Sequence, residues 1–209
     1  MTKYYCTLLF LLLALSSYAQ NEELTDEEYE AQIAERKEDI KYKEFFRLYY
    51  VRPNGVGNNV IAKANEAGGG VGMGVTFGII GRVHIIGGAE LTQFKVTDKS
   101  LAGNASVTNM QQLYVLGMYK FSLNETFEVN PGIAVGNLWI HQRRSSQSLG
   151  KQNGFCVTPT VTVDLKLDNI RFFVGLNYCL AFPKTHTNAE YKDFFGRLQM
   201  LNLTAGFKL

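Results

Sequence analysis

The residues able to do acid–base or nucleophilic chemistry are few and scattered. His141 and His186, with Ser145, Ser146, Ser148, Glu190 and Asp193, supply the side-chain types of a nucleophile–base–orienter set. A hydroxyl is a weak nucleophile until a neighbouring imidazole takes its proton, so such a set needs fixed mutual geometry. No spacing or local motif here selects one serine for one histidine. Loop serines and histidines explain the same residues, and no catalytic residue is assigned. His84 is expected to face the interior and to bond a carboxylate. Gly68-Gly69-Gly70 opens a strand rather than a helix. It therefore lacks the helix N-terminus on which a glycine-rich phosphate loop depends, and reads as a flexible loop end. No metal-ligand spacing stands out, no cofactor is implied, and the scattered basic residues leave no nucleic-acid footprint. Cys6 precedes the first apolar run, which leaves Cys156 and Cys179, too few for a disulfide framework.

Eight stretches of alternating apolar and polar residues are the elements that would position these groups. In the sixth, Phe155, Val157, Pro159, Val161, Val163, Leu165 and Leu167 alternate with Cys156, Thr158, Thr160, Thr162, Asp164 and Lys166. The seventh sets Ile170, Phe172, Val174, Leu176, Tyr178, Leu180 and Phe182 against Arg171, Gly175, Asn177 and Cys179. An Asp168-Asn169 turn pairs 167 with 170 and keeps both apolar sets on one face, because both residues tolerate positive φ. The second stretch alternates Val71, Met73, Val75, Phe77 and Ile79 with small residues, mostly glycine, which suits a narrow interior filled by bulky neighbours. The third, about 83–96, slips near Gln93-Phe94, where a bulge is expected. The inner face of the fourth is mixed, with Tyr114, Leu116 and Met118 beside Gln112 and Lys120. The first is short, around 45–51, and the last ends at Leu209.

The connections alternate between long and short. Those at about 53–70, 98–109, 142–154 and 184–196 are read as long polar loops, and those at about 80–82, 124–126 and 168–169 as tight turns. Phe121, Phe127 and Phe172 lie near the short turns; Trp139, Tyr178 and Phe182 lie near the loops. Two aromatic girdles around an apolar band, with loops on one side only, predict an all-β fold: an eight-stranded antiparallel up-and-down transmembrane β-barrel. A soluble sandwich would alternate too, but needs no girdles. In the predicted register Asp164 and Arg171 are diagonal neighbours inside the barrel, as are Lys120 and Glu128, and pairing would offset their desolvation. Cys156 and Cys179 are diagonal as well, about 7–8 Å apart between Cα atoms, at the limit for a disulfide unless a bulge draws them together.

Residues 1–19 have the form of a secretory signal: Lys3, an apolar run from Leu8 to Leu15, and Ser17-Tyr18-Ala19 before Gln20. No later segment approaches the roughly 18 apolar residues of a membrane-spanning helix. Residues 20–43 read as a charged periplasmic helical segment. Within 21–43, nine acidic residues face four basic ones. Thr25 and Glu28 form a capping-box pattern, and Tyr29, Ile33, Arg36 and Ile40 fall at helical spacing, so a helix is predicted from about Asp26 to Lys41. It serves as a tether, or as a plug or docking element. The barrel is expected over 44–209. An even strand count puts both chain ends on the short-turn side, which would be periplasmic.

The Ala19-Gln20 processing site, the eight-strand rhythm and the terminal strand Leu201-Asn-Leu-Thr-Ala-Gly-Phe-Lys-Leu209 resemble the small outer-membrane β-barrels of Bacteroidetes-type bacteria. These are described as porin-like or PorT-like and share the architecture of OmpA/OmpX-type barrels. Such terminal strands carry an aromatic near the last residue; here Phe207 is followed by Lys208-Leu209. The resemblance implies a location in the outer membrane of a Gram-negative bacterium, with contacts to its lipid and lipopolysaccharide. It implies a non-enzymatic structural or surface-interaction role. The alternatives are an accessory subunit of an envelope secretion or assembly machine, reached through 21–43 or the long loops, and a narrow pore. Side chains largely fill an eight-stranded interior, which disfavours the pore.

Overall fold

The computed structural model describes residues 45–145, 147–167, 170–185 and 188–209. The expected signal segment, the helix from Asp26 to Lys41, the Asp168-Asn169 turn, Ser146 and His186 lie outside the described residues. The strands are β1 (Phe46–Gly55), β2 (Asn65–Ile80), β3 (Val83–Val96), β4 (Val107–Tyr119, continued by Phe121–Ser122), β5 (Phe127–Arg144), β6 (Gln147–Leu167), β7 (Ile170–Pro183) and β8 (Leu198–Lys208). Each pairs antiparallel with its neighbours in sequence. β1 pairs β8, which closes an eight-stranded barrel. The Leu209 carbonyl accepts from the Phe45 and Phe46 amides, so the last residue completes the seam.

The alternation seen in the sequence sorts side chains between two environments. Val71, Leu113, Val115, Ile133, Val135, Phe155, Val174 and Leu203 point outward and stay exposed, while Arg47, Tyr49, Gln112, Thr162, Asp164 and Asn202 point inward and are buried. So extensive an apolar exterior has no place in water. Phe127, Leu165, Phe172 and Phe207 share one rung near the short turns. From Phe127 to Trp139 on β5 the strand rises about 40 Å, which at a tilt of roughly 40° spans about 30 Å, the thickness of a bilayer's hydrocarbon core. Leu167 pairs with Ile170, as the sixth connection requires.

The loop end departs from expectation in several places. The first connection is not a long polar loop over 53–70. β1 runs on to Gly55 and β2 starts at Asn65, with helix α1 (Val60–Ala64) between them. Asn59 caps α1: its Oδ1 accepts from the Ile61 and Ala62 amides. Gly68-Gly69-Gly70 lies within β2, not in a loop. The expected bulge is real but sits on β2, where Gly68 is the extra residue between Ala67–Phe94 and Gly69–Gln93. Gly69 takes φ 126°, a conformation that favours glycine. β3 therefore keeps its alternation, and Phe94 is apolar yet inward because its surroundings are apolar. The fifth connection is a hairpin rather than a loop over 142–154. β5 reaches Arg144 and β6 starts at Gln147, with Ser145 at φ 53°. Both faces of these strand ends are polar, so the ladder continues where the alternation stops. The last connection holds a 3-10 turn (Ala189–Tyr191) and a short helix α2 (Lys192–Gly196).

Candidate functional site

The lumen is the first place to look for function, and it is filled in layers. At the loop end α1 turns Val60, Ile61 and Ala64 into the barrel mouth, where they pack with Phe94, Met110, Leu138, Ile140, Leu198 and Met200. This apolar cap had no signal in the alternation, because its residues sit on the inner face where polar ones are the rule. The helix pattern of α1 is too short to read.

Cys156 and Cys179 belong to the same cap. They are buried free thiols, and one hydrogen-bonds the other. Cys156 pairs in register with Ala181, so the two cysteines are the expected diagonal neighbours.

Below the cap the lumen turns polar. The Tyr49 hydroxyl donates to Glu90 Oε2 at 3.4 Å and lies 2.9 Å from the Tyr114 hydroxyl, which also accepts from Arg47 Nη2 at 3.1 Å. Space for these side chains comes from β2 and β3. A Cβ at Gly72 would sit 2.1 Å from the Tyr49 ring, and one at Gly88 would sit 2.3 Å from that of Tyr114. The expected match of small residues to bulky neighbours is thus met. What remains is a cavity of about 40 Å³, room for two or three waters. His84 is buried on the inner face of β3. Its neighbours Ile86, Leu116 and Met118, with Tyr114 and Ala134, form an apolar wall. That wall explains the mixed inner face of β4.

The short-turn end of the lumen is ionic. Lys120 Nζ lies 3.1 Å from Glu128 Oε1, as the register predicts. The predicted Asp164–Arg171 pair does not form. Arg171 reaches Glu128 Oε2 instead, at 3.4 Å, and Lys166 reaches the same oxygen at 3.2 Å. Asp164 is taken by Lys208 of β8 in a close ion pair, with Lys120 at 3.7 Å and the Thr162 hydroxyl donating at 3.0 Å. Pairwise reading of the β6–β7 hairpin missed Lys208, because Lys208 reaches Asp164 from β8, on the far side of β7.

The described candidate residues for hydrolase chemistry are spread over the loop end. His141 and Ser148 line one groove on the outer wall, but no carboxylate is among its described lining residues. Glu190 and Asp193 sit in the β7–β8 connection, outside that lining. Ser145 occupies the turn after β5.

No protein-family model matches the sequence, and no curated protein does. Among solved structures the chain is similar to Neisserial surface protein A. The TM-score is 0.58 at 10% identity, over 80% of this chain and 97% of that one. It is also similar to the N-terminal β-barrel domain of Pseudomonas aeruginosa OprF, with a TM-score of 0.46 at 9% identity over 79% of this chain and 98% of that one. For Ail, the attachment invasion locus protein of Yersinia pestis, the values are 0.43 and 12%, over 78% of this chain and 95% of that one. The first likeness shows the fold: a small eight-stranded antiparallel closed barrel.

Proposed function

We propose that this chain is a non-enzymatic outer-membrane barrel of a Gram-negative bacterium, with a structural or surface-interaction role. The short turns and chain ends face the periplasm, and the loop end faces outward. The observation that carries this reading is the filled lumen. An apolar cap, a polar middle with space for a few waters, and an ionic layer fill the lumen among the described residues, while the exterior carries a band of bilayer height. A protein so built meets other molecules through its loop end and through the lipid around it, not through its interior. The finer resemblance to Bacteroidetes-type barrels rests on the Ala19-Gln20 site, the strand rhythm and the terminal strand.

Reconstitution in planar bilayers tests the reading. No stable current steps are expected at either polarity. Reproducible single-channel steps from the full mature chain would replace it with the pore. For orientation, an epitope placed after Ser145 is expected to be reachable by antibody on intact cells.

A further inference from the structure

The outer wall of the barrel changes character along one line at the loop end of β3–β6. Outward residues of these strands below that line are apolar apart from Asn137. On the line stand Leu91, Gln111, Trp139 and Asn153, paired in register. The next rung is Gln93, Asn109, His141 and Lys151, and the one above includes Lys95, Val107 and Arg143. The Gln93 amide donates to Asn109 Oδ1 at 3.0 Å, which fixes two side chains of the polar rung. Arg143 and Lys151 are exposed.

A groove of about 690 Å³ starts on this line, where Tyr50 and Val71 stand in register with Leu91, and runs above it. Its lower part is lined by Tyr50, Val71 and Leu91, and its upper part by His141, Arg143 and Lys151. Gly68, Gly69 and Gly70 give it a bare backbone floor. A Cβ at Gly69 would come within 2.6 Å of the Tyr50 hydroxyl, so the ring can lie flat there only over glycine. Lys151 faces His141 across the ladder, and Arg143 is two residues further along β5, which puts the two cationic residues roughly 8 Å apart at Cα. Side chains of that length converge on one anion. Glu66, the acidic residue on the same side, faces Lys95 in the ladder and does not line the groove.

We infer that this groove binds a phosphorylated lipid of the surrounding leaflet. Arg143 and Lys151 hold the phosphate, the amides of Gln93 and Gln111 are further donors at headgroup height, and an acyl chain lies over Tyr50, Val71 and Leu91. A guanidinium offers two parallel donors to phosphate oxygens, and an ammonium adds a point charge. The occupant is a lipid rather than a free anion because the groove is apolar below the cations, on the rung that borders the apolar wall. The inference rests on the outward orientation proposed above, which makes the leaflet the outer one.

The test is native mass spectrometry of the full mature chain in detergent, titrated with diphosphoryl lipid A. The expected result is one retained lipid per chain, at least about tenfold weaker in the R143A/K151A variant, since removing a single charge-assisted hydrogen bond weakens binding by about that factor. Monophosphoryl lipid A should bind more weakly than the diphosphoryl form. The R52A/R197A variant removes two exposed cations of the loop end outside the groove and should bind as the native chain does. Equal binding by R143A/K151A overturns the inference, and so does an equal loss in R52A/R197A. Displacement by inorganic phosphate or by the delipidated phosphosaccharide at matched concentration also overturns it, reassigning the groove to a free anion or glycan. The epitope after Ser145 separates the two readings. If antibody reaches it only after the membrane is permeabilised, the orientation fails and the outer-leaflet lipid fails with it, even where lipid A binds in detergent.

Discussion

Removing the Asp164 carboxylate should destabilise the barrel more than any other single change at the ionic layer. Asp164 is fully buried and Lys208 is 1% exposed. The carboxylate engages Lys208 and Lys120 and accepts from Thr162. In Asp164→Ala, Lys208 keeps the Phe173 ring, 5.0 Å from its nitrogen, but loses its close carboxylate. Glu128 cannot substitute, since Lys120, Lys166 and Arg171 already surround it. Breaking a buried pair from one side costs about 3–5 kcal/mol, and the retained ring contact argues for the lower end, about 3 kcal/mol. At ordinary urea dependences that lowers the unfolding midpoint by roughly 1–3 M. Asp164→Ala with Lys208→Met removes both charges and should recover most of the loss, because an apolar replacement of a buried pair is close to neutral. Equilibrium urea unfolding from phospholipid vesicles is the assay. Trp139, the chain's one tryptophan, reports from the interfacial girdle. A cost below about 1 kcal/mol for the single change, or a double variant as unstable as the sum of its singles, would refute the reasoning.

Three further outcomes follow from the packing. Gly72→Val drives a side chain into the Tyr49 ring and should cost about 1–3 kcal/mol, whereas Gly117→Ala, with nothing within 4 Å of the added carbon, should stay within about 0.5 kcal/mol; the same unfolding assay compares them. Cys156 and Cys179 are buried in the cap, so a maleimide should label them only after unfolding, and equal labelling of the folded barrel would show an open mouth. Asp98, in the β3–β4 connection, accepts from the Ser100 hydroxyl and then from the Leu101 and Ser100 amides, which hold its carboxyl below the usual carboxylate range. Because its pKa is lowered in the folded chain, this local stabilisation is complete at neutral pH and is lost as pH falls through the lowered value. Amide exchange at Ser100 and Leu101 should therefore stay protected until below about pH 4, and earlier loss would show that those bonds do not form.

The membrane-spanning part of this fold is legible because two solvents read the two faces of each strand. Where lipid lies outside and packed polar side chains lie inside, as along Phe155–Leu167, alternation alone gives the register, and Leu167–Ile170 falls where expected. Legibility ends where that contrast ends. Above the girdle, the outer ends of β5 and β6 have water on both sides, so Arg143 and Ser148 look like loop residues although the ladder continues through them. Inside the mouth the contrast reverses: Phe94, Leu138 and Met200 are apolar and inward because α1 covers them. Alternation therefore suggested a slip in β3 where β2 holds the extra residue. The ionic layer was half legible. Lys120–Glu128 joins neighbouring β4 and β5, but Asp164–Lys208 joins β6 to β8 across β7, a pair that matching adjacent strands does not reach. The outer groove had no sequence signal, since its residues come from β1 to β6 with no shared motif.

The cap also decides between a plug and a gate. Five residues cannot sustain a helix in water, so α1 holds its shape by what it buries. Withdrawing Val60 and Ile61 from the mouth would expose two fully packed aliphatic side chains at roughly 1.5–3 kcal/mol each. A cost of about 3–6 kcal/mol leaves the withdrawn state populated at roughly one part in a hundred to one in ten thousand. Rare opening of α1 would still not make a channel. Beneath it Phe94, Met110, Leu138 and Met200 form a second apolar layer, and the Tyr49–Tyr114–Glu90 network lies under that. A barrel in which residues 57–64 are replaced by a flexible glycine–serine linker should therefore remain electrically silent in planar bilayers, though less resistant to urea. Brief current steps in that variant alone would mean that α1 is the lone seal, and that a loop-end partner able to lift it would convert a closed barrel into a conducting one.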